Sequence, residues 1–166
     1  MDNPRTRAAT TLFVTAFVAY GLDRITKIWA EDTLVGNPID VVPGVLTMRY
    51  TENSGGAFSI GQSAPWFFVG VTAIVVFVIL ATAWRHTSRT VGASLGLVLG
   101  GALGNLTDRA FRAPGFRGRV IDFVDLHVWP VFNLADSAIV VGAILLAWVG
   151  FRERRSAESE STPAPS

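Results

Sequence analysis

Cysteine is absent from the 166 residues and charge is scarce: Asp, Glu, Lys and Arg make up 16% of the chain, against the ~25% usual in a soluble globular domain. The first absence excludes disulfides, thiolate metal sites, a cysteine nucleophile and lipid attachment to a cysteine of this chain. The second argues against a water-soluble core, because the few charges are also clustered. None occurs from Ala8 to Leu22, from Asn53 to Trp84, from Thr90 to Thr107 or from Ser137 to Phe151. A net charge of +1 supplies no field to steer a polyanion, so no nucleic-acid partner is expected. There is no Gly-x-Ser-x-Gly elbow, no His-Glu-x-x-His and no P-loop, and the only histidines are His86 and His127. Neither a metal nor a cofactor is therefore expected.

What is present is apolar residues, 50% of the chain. A helix rises about 1.5 Å per residue, so roughly 20 residues cross a hydrocarbon core about 30 Å thick. Four spans reach that scale: 8–30, 64–84, 90–107 and 131–151. The second has Ser63 as N-cap, Pro65 in its first turn, and Trp66 and Trp84 as interfacial ends. The first carries Asp23, Arg24 and Lys27 in its last turns, and the fourth has Asp136 near its start. Each such charge in a bilayer requires a partner, an interface or a task. Arg5 and Arg7 ahead of the first apolar run suggest a signal peptide, but no small-x-small cleavage site precedes Asp23, and the run is kept as a helix.

Between the first two spans, Leu46, Met48 and Tyr50 alternate with Thr47, Arg49 and Thr51, the period of a strand. Asn53-Ser54-Gly55-Gly56 then turns the chain. A second short strand is expected around Val120 to Val124. The fold class is thus a membrane all-α domain over 1–152, with four transmembrane helices and a small β-sheet at one membrane face. The strands lie between helices 1 and 2, with a contribution from the helix 3 to 4 loop. Residues 153–166 are expected to be a disordered tail. The side holding both termini has seven basic residues (Arg5, Arg7, Arg85, Arg89, Arg152, Arg154, Arg155), and the other side also has seven (Arg24, Lys27, Arg49, Arg109, Arg112, Arg117, Arg119). The positive-inside rule does not choose between them. Positive density in the 85–89 loop leans toward termini inside.

Gly92, Gly96, Gly100 and Gly104 recur every fourth residue, a stripe that lets two helices approach closely. Packing within the bundle is the expectation, with the chain a monomer. Asn105 and Arg109 continue from Gly101 at one-turn spacing and share a face. Among the acids, Asp125, Asp40, Asp32 and Glu31 read as solvated loop charges. Asp122 sits between apolar neighbours in the second strand, and Asp136 lies three residues after Asn133. An ion pair with Arg109 is the bland account of both. The sharper one is a pair that shares a proton, the ionised acid drawing a proton from water while the protonated one polarises a carbonyl. Fourteen residues of separation allow the two to meet without requiring it.

Five ordered blocks carry a resemblance. They are Asp23-Arg24-Ile25-Thr26-Lys27, Tyr50 to Ser59, Gly100 to Arg109, Val120-Ile121-Asp122-Phe123 and Phe132-Asn133-Leu134-Ala135-Asp136-Ser137. Together they resemble the lipoprotein signal peptidase (signal peptidase II) family of bacterial inner-membrane aspartic endopeptidases. The resemblance implies that the substrate is a lipid-modified prolipoprotein, cut just before a cysteine bearing diacylglyceryl, with membrane lipid as the surroundings. It implies Asp122 and Asp136 as the catalytic dyad at the outer face, and Asn53, Gly55, Asn105, Arg109 and Asn133 as polar positions around it. Asp23 and Lys27 match a structural or positioning ion pair. Both termini would be cytoplasmic. Gly56, Thr107 and the acidic tail depart from the family pattern without touching the dyad. The competing class is a small helical transporter or proton or ion pathway, whose acids usually lie mid-membrane, whereas Asp23 and Asp136 sit near helix ends. A scaffold without catalysis accounts for the glycines but not for the polar blocks.

Overall fold

The computed structural model describes residues 3–54 and 65–161. In chain order its elements are α1 (Pro4–Leu34), β1 (Ile39–Val42), β2 (Leu46–Asn53), α2 (Pro65–Thr82), α3 (Arg89–Phe111), a 3-10 turn (Pro114–Phe116), β3 (Val120–Asp125) and α4 (Leu134–Ser161). Among the described residues, α3 and the Leu134–Ser156 part of α4 are long and apolar enough to cross a bilayer by length and composition. The apolar part of α2, Trp66–Thr82, is shorter, and α1 includes Asp23, Arg24 and Lys27 among its 31 residues.

Side chains are sorted in the reverse of a water-soluble bundle. Phe17 and Phe77 are 77% and 71% exposed, and Ile25, Ile74 and Ile144 also point outward, while Ala8, Ala9, Ala16, Asp23, Lys27 and Asp108 are buried. Lipid tails offer no drive to hide a phenylalanine, so association there rests on small residues that pack closely and on polar groups that satisfy one another. The glycine stripe does the first. Gly92, Gly96, Gly100 and Gly104 face α1, opposite Ala8, Leu12, Ala16 and Asp23. At Gly100 a Cβ would lie 2.5 Å from the Ala16 carbonyl oxygen, and at Gly104 it would meet the Asp23 carboxylate. A side chain at Gly100 therefore pushes on the backbone of α1, and one at Gly104 displaces a buried carboxylate.

The helix ends differ from the sequence expectation for identifiable reasons. Helix α1 runs to Leu34, so Glu31 and Asp32 are helical rather than loop charges, and Glu31 accepts hydrogen bonds from both terminal nitrogens of Arg112 at 3.1 Å. Helix α3, capped by Ser88, runs to Phe111 and so carries Asp108 and Arg109. Helix α4 begins at Leu134 rather than 131, because Phe132 is held by backbone hydrogen bonds to Val124 of 2.9 and 3.1 Å. Asn133 then caps the helix: its Oδ1 accepts from the Asp136 N–H at 2.9 Å, and Asp136 Oδ2 accepts from the Asn133 N–H at 3.2 Å. This reciprocal pair is a capping box. At its far end α4 continues to Ser161, ten residues beyond the apolar span.

The sheet is antiparallel in the order β1-β2-β3. Register pairs Asp40 with Thr47, Thr47 with Asp125, and Thr51 with Asp122. One side of it packs on α1, where Ala30 and Leu34 meet Ile121 and Phe123, with Met48 and Tyr50 against them. Strand β1 was not legible in advance. Its Ile39, Val41 and Val42 are exposed, so its apolar residues follow no inward-facing alternation.

Candidate active site

Three elements bring the acids together. Strand β3 carries Asp122, the cap of α4 carries Asn133 and Asp136, and the last turns of α3 carry Asn105 and Arg109. Asp122 is 2% exposed. Its Oδ1 accepts from Asn133 Nδ2 at 2.6 Å and its Oδ2 from Asn53 Nδ2 at 3.0 Å. Asp136 Oδ1 accepts from Asn105 Nδ2 at 2.8 Å. Asn133 Nδ2 also lies 3.2 Å from both Asn105 Oδ1 and the Ile121 carbonyl oxygen. One asparagine therefore touches both acids: its amide nitrogen donates to Asp122, and its backbone N–H and Oδ1 serve Asp136. Amides of Asn53, Asn105 and Asn133 thus donate to the acids, and Arg109, the partner of the bland expectation, lies within electrostatic reach of both. Arg109 lines the same cavity as Asp122 and Asp136, with its guanidinium 5.6 Å from the centre of the Phe68 ring.

Burial, and after it the charge of Asp136, pushes the Asp122 carboxyl from 3.8 up to about 7, against the opposing donors Asn53 and Asn133. Two carboxylates this near in a dehydrated place do not both ionise cheaply, so Asp122 keeps its proton up toward neutral pH.

Behind the acids lies a buried ionic cluster. Lys27 and Asp23 are both fully buried, with Nζ 2.9 Å from Asp23 Oδ2, 2.8 Å from Asp108 Oδ2 and 2.9 Å from Asn105 Oδ1. Asp23 Oδ1 accepts from the Ala135 N–H at 3.0 Å, so this carboxylate sits at the N-terminus of α4, where the exposed helix N–H groups favour an anion. Asp108, which the sequence reading did not single out, is the hub. It receives Arg24 at 2.5 Å, Lys27 at 2.8 Å and Arg112 at 2.9 Å, and the Ile121 N–H reaches its Oδ2 at 3.4 Å. The Asp108–Arg112 spacing of four was a readable signal, but the convergence of Arg24 and Lys27 on the same carboxylate is tertiary.

Two cavities meet at Asp122. An apolar groove of about 480 Å³ runs between α2, α3 and α4 past Phe68, Val71, Val98 and Ile139, and ends at Asn105, Arg109, Asp122 and Asp136. A polar cavity of about 540 Å³ lies on the sheet side among Arg49, Thr51, Glu52, Asp125 and His127. Asn53, Asp122 and the segment 129–131 belong to both. Gly55, expected beside Asn53, lies outside the described residues, as do Gly56 of the expected turn and the Ser63 cap.

The remaining acids are engaged in ways that leave them peripheral. Asp125 accepts from the His127 N–H at 2.8 Å and from Arg49 Nε at 2.6 Å, which hold its carboxyl below the usual carboxylate range. Asp40 accepts from the Thr47 hydroxyl at 2.7 Å, and that hydroxyl is also 2.9 Å from His127 Nε2. The Arg49–Asp125 pair lies at the surface, where an ion pair contributes about 0–1 kcal/mol, and Asp40 itself is exposed. Asp125→Asn and Asp40→Asn are accordingly expected to leave the cleavage rate close to that of the unmodified protein and the thermal midpoint nearly unmoved, as read by a peptide-release assay and thermal unfolding.

Comparison with known proteins is consistent with this geometry. A profile of the family described as "Signal peptidase (SPase) II" matches residues 15–152. The chain is similar to the lipoprotein signal peptidase of Rhodococcus jostii, at 45% identity over 137 residues, covering 81% of this chain and 69% of that one. It is likewise similar to that of Mycobacterium avium, at 42% identity over 147 residues, covering 87% of this chain and 80% of that one. A solved structure described as a bacterial membrane enzyme superposes with a TM-score of 0.78 at 26% identity, covering 95% and 94% of the two chains.

Proposed function

The chain belongs to the signal peptidase II family, and from that premise we propose that it cleaves diacylglyceryl-modified prolipoproteins just before the lipidated cysteine, with Asp122 and Asp136 activating water. Removal of the signal peptide from prolipoproteins is the family's activity, and the chain is a membrane aspartic peptidase of the bacterial inner membrane. The observation that carries the finer reading is that both acids stand at the polar end of an apolar groove, with Asp122 also on the wall of a polar cavity. A signal helix and two acyl chains are apolar and suit the groove. The scissile peptide is polar and needs partners where it passes Asn53, Asn105 and Arg109, since backbone groups near lipid do not go unsatisfied. Water and the mature chain have the polar cavity.

The chemistry balances on one shared proton. The ionised acid takes a proton from water as the oxygen attacks the scissile carbonyl carbon. The carbonyl π pair moves to its oxygen, which takes the proton of the second acid, giving a gem-diol. On collapse the C–N bond breaks, the first acid returns its proton to the departing nitrogen, and the second recovers one from the diol. Water and the peptide become a carboxylic acid and an amine, and the dyad is restored.

In this reading four helices span the membrane, both termini are cytoplasmic, the sheet and the acids lie at the outer face, and residues 1–152 act as a single monomeric domain. The outward phenylalanines and isoleucines of α1, α2 and α4 support spanning by all of them. Lipid-modified prolipoprotein incubated with the detergent-solubilised protein is expected to shift on a gel by the mass of its signal peptide, whereas the unlipidated precursor stays intact. Equal cutting of both forms refutes lipid recognition, and no cutting of either refutes the peptidase.

A further inference from the structure

Resting on the dyad reading above, we propose that Asp136 is the general base and Asp122 the proton-bearing acid, and that Lys27 enforces this division through Asn105. The argument is one of hydrogen-bond direction. Asp136 Oδ2 faces the backbone N–H of Asn133, which only donates. Its Oδ1 faces the Asn105 side chain, and an amide donates from nitrogen or accepts at oxygen according to which way it is turned. Asn105 cannot turn, because its Oδ1 lies 2.9 Å from the Lys27 ammonium and 3.2 Å from Asn133 Nδ2. An ammonium has no lone pair, so only the oxygen end of Asn105 is tolerated there. Both oxygens of Asp136 are thus met by fixed donors; Asp122 also accepts from two amides, Asn133 and Asn53, so charge and position decide which acid keeps the proton.

Charge and position point the same way. Asp136 lies in the first turn of α4, where the helix favours an anion, whereas Asp122 is 2% exposed in a strand between apolar neighbours. The charged groups around Asp136 are Asp122 from β3, Arg109 and Asp108 from α3, and Asp23 and Lys27 from α1, while α2 presents Phe68 and Val71. In the ionic cluster, Asp23, Asp108 and Glu31 are matched in number by Lys27, Arg24 and Arg112. That leaves Arg109 with the dyad, and one proton on two acids makes this group neutral as well. Lys27 is a positioning residue: the structure gives it no place on the cavity wall, and it acts by fixing which end of Asn105 meets the base.

Infrared titration and pH-rate profiles test the assignment separately from the existence of the dyad. At about pH 6 the protonated-carboxyl C=O band of the solubilised protein is expected to vanish in Asp122→Asn and persist in Asp136→Asn, since burial is the first cause of proton retention at Asp122. A band that survives Asp122→Asn, or that is lacking in the unmodified protein, overturns the proposal. Lys27→Met frees Asn105 to turn, so the donor to Asp136 Oδ1 is no longer fixed. The acid limb of the kcat profile is expected to move up by about one pH unit, with KM unchanged and Lys27→Arg restoring the limb. Asn105→Ser, which removes the locked donor but leaves the Lys27–Asp23 and Lys27–Asp108 ion pairs in place, is expected to move the limb the same way and serves if Lys27→Met fails to fold. A uniform loss of rate with an unmoved profile overturns the role of Lys27. Full activity of both asparagine variants would instead refute the dyad itself.

Discussion

Asp136→Asn is expected to abolish cleavage of a lipidated prolipoprotein, by ~10³-fold or more, while the protein still folds and inserts. An asparagine side chain takes no proton from water at any accessible pH, so the loss falls on kcat. Folding survives because the amide oxygen at position 136 continues to accept from one of the two donors, Asn133 N–H and Asn105 Nδ2. Leaving the other without an acceptor costs about 1–3 kcal/mol. Asp122→Asn is expected to be as inactive but different in stability. The carboxyl of Asp122 rises from 3.8 to about 7, so the folded chain binds that proton more tightly than the unfolded one. The contribution is fully present below pH 4 and is lost as pH rises through 7. Asp122→Asn removes this slope, and its thermal midpoint is expected to fall less than that of the unmodified protein between pH 5 and pH 8. Both quantities are read on one preparation, by gel shift and by tryptophan fluorescence on heating. Cleavage by either variant at the unmodified rate would end the dyad reading.

Parts of this site were legible in the sequence because they are local. Asn133 and Asp136 stand three residues apart, a spacing that a helix start turns into a capping box, and Asp23 and Lys27 stand four apart on one face. Periodicity likewise gave the glycine stripe and its task, since a stripe of that spacing has one face by construction. The meeting of Asp122 with Asp136 was only permitted. It depends on a bridge between Val124 and Phe132 that folds the chain back over the seven intervening residues, and no spacing rule announces it. Asp108 was hidden for the same reason: Arg112 is a local partner four residues on, but Arg24 and Lys27 of α1 reach the same carboxylate only because Gly100 and Gly104 let the helices close. Glu31 read as a loop charge because the apolar run ends at Ala30, yet its pairing with Arg112 extends the helix beyond the point where hydropathy stops. Charge that is matched inside the protein carries no mark in the sequence to distinguish it from charge that faces water.

That dependence of the site on helix approach predicts the second large effect. Gly100→Ala adds only a methyl group, but its Cβ would stand 2.5 Å from the Ala16 carbonyl oxygen and 2.8 Å from Ala19 Cβ. The first of these is backbone of α1 and has no rotamer to change. The helices must separate, at a cost of roughly 1–3 kcal/mol for one overpacked methyl, and Gly100→Val adds to it. The same displacement reaches the chemistry, because α1 carries Lys27 to Asn105 and Asp23 to the Ala135 N–H. Gly100→Val is therefore expected to lower both the thermal midpoint and kcat, although the residue touches neither acid. Gly21→Ala is the matched control. It lies on α1 with nothing within 4 Å of an added Cβ, and alanine raises helix propensity by about 0.5–1 kcal/mol, so it is expected to be neutral or mildly stabilising with cleavage unchanged. Equal behaviour of the two substitutions in heating and in the gel-shift assay would show that the α1–α3 contact does not set the geometry of the dyad.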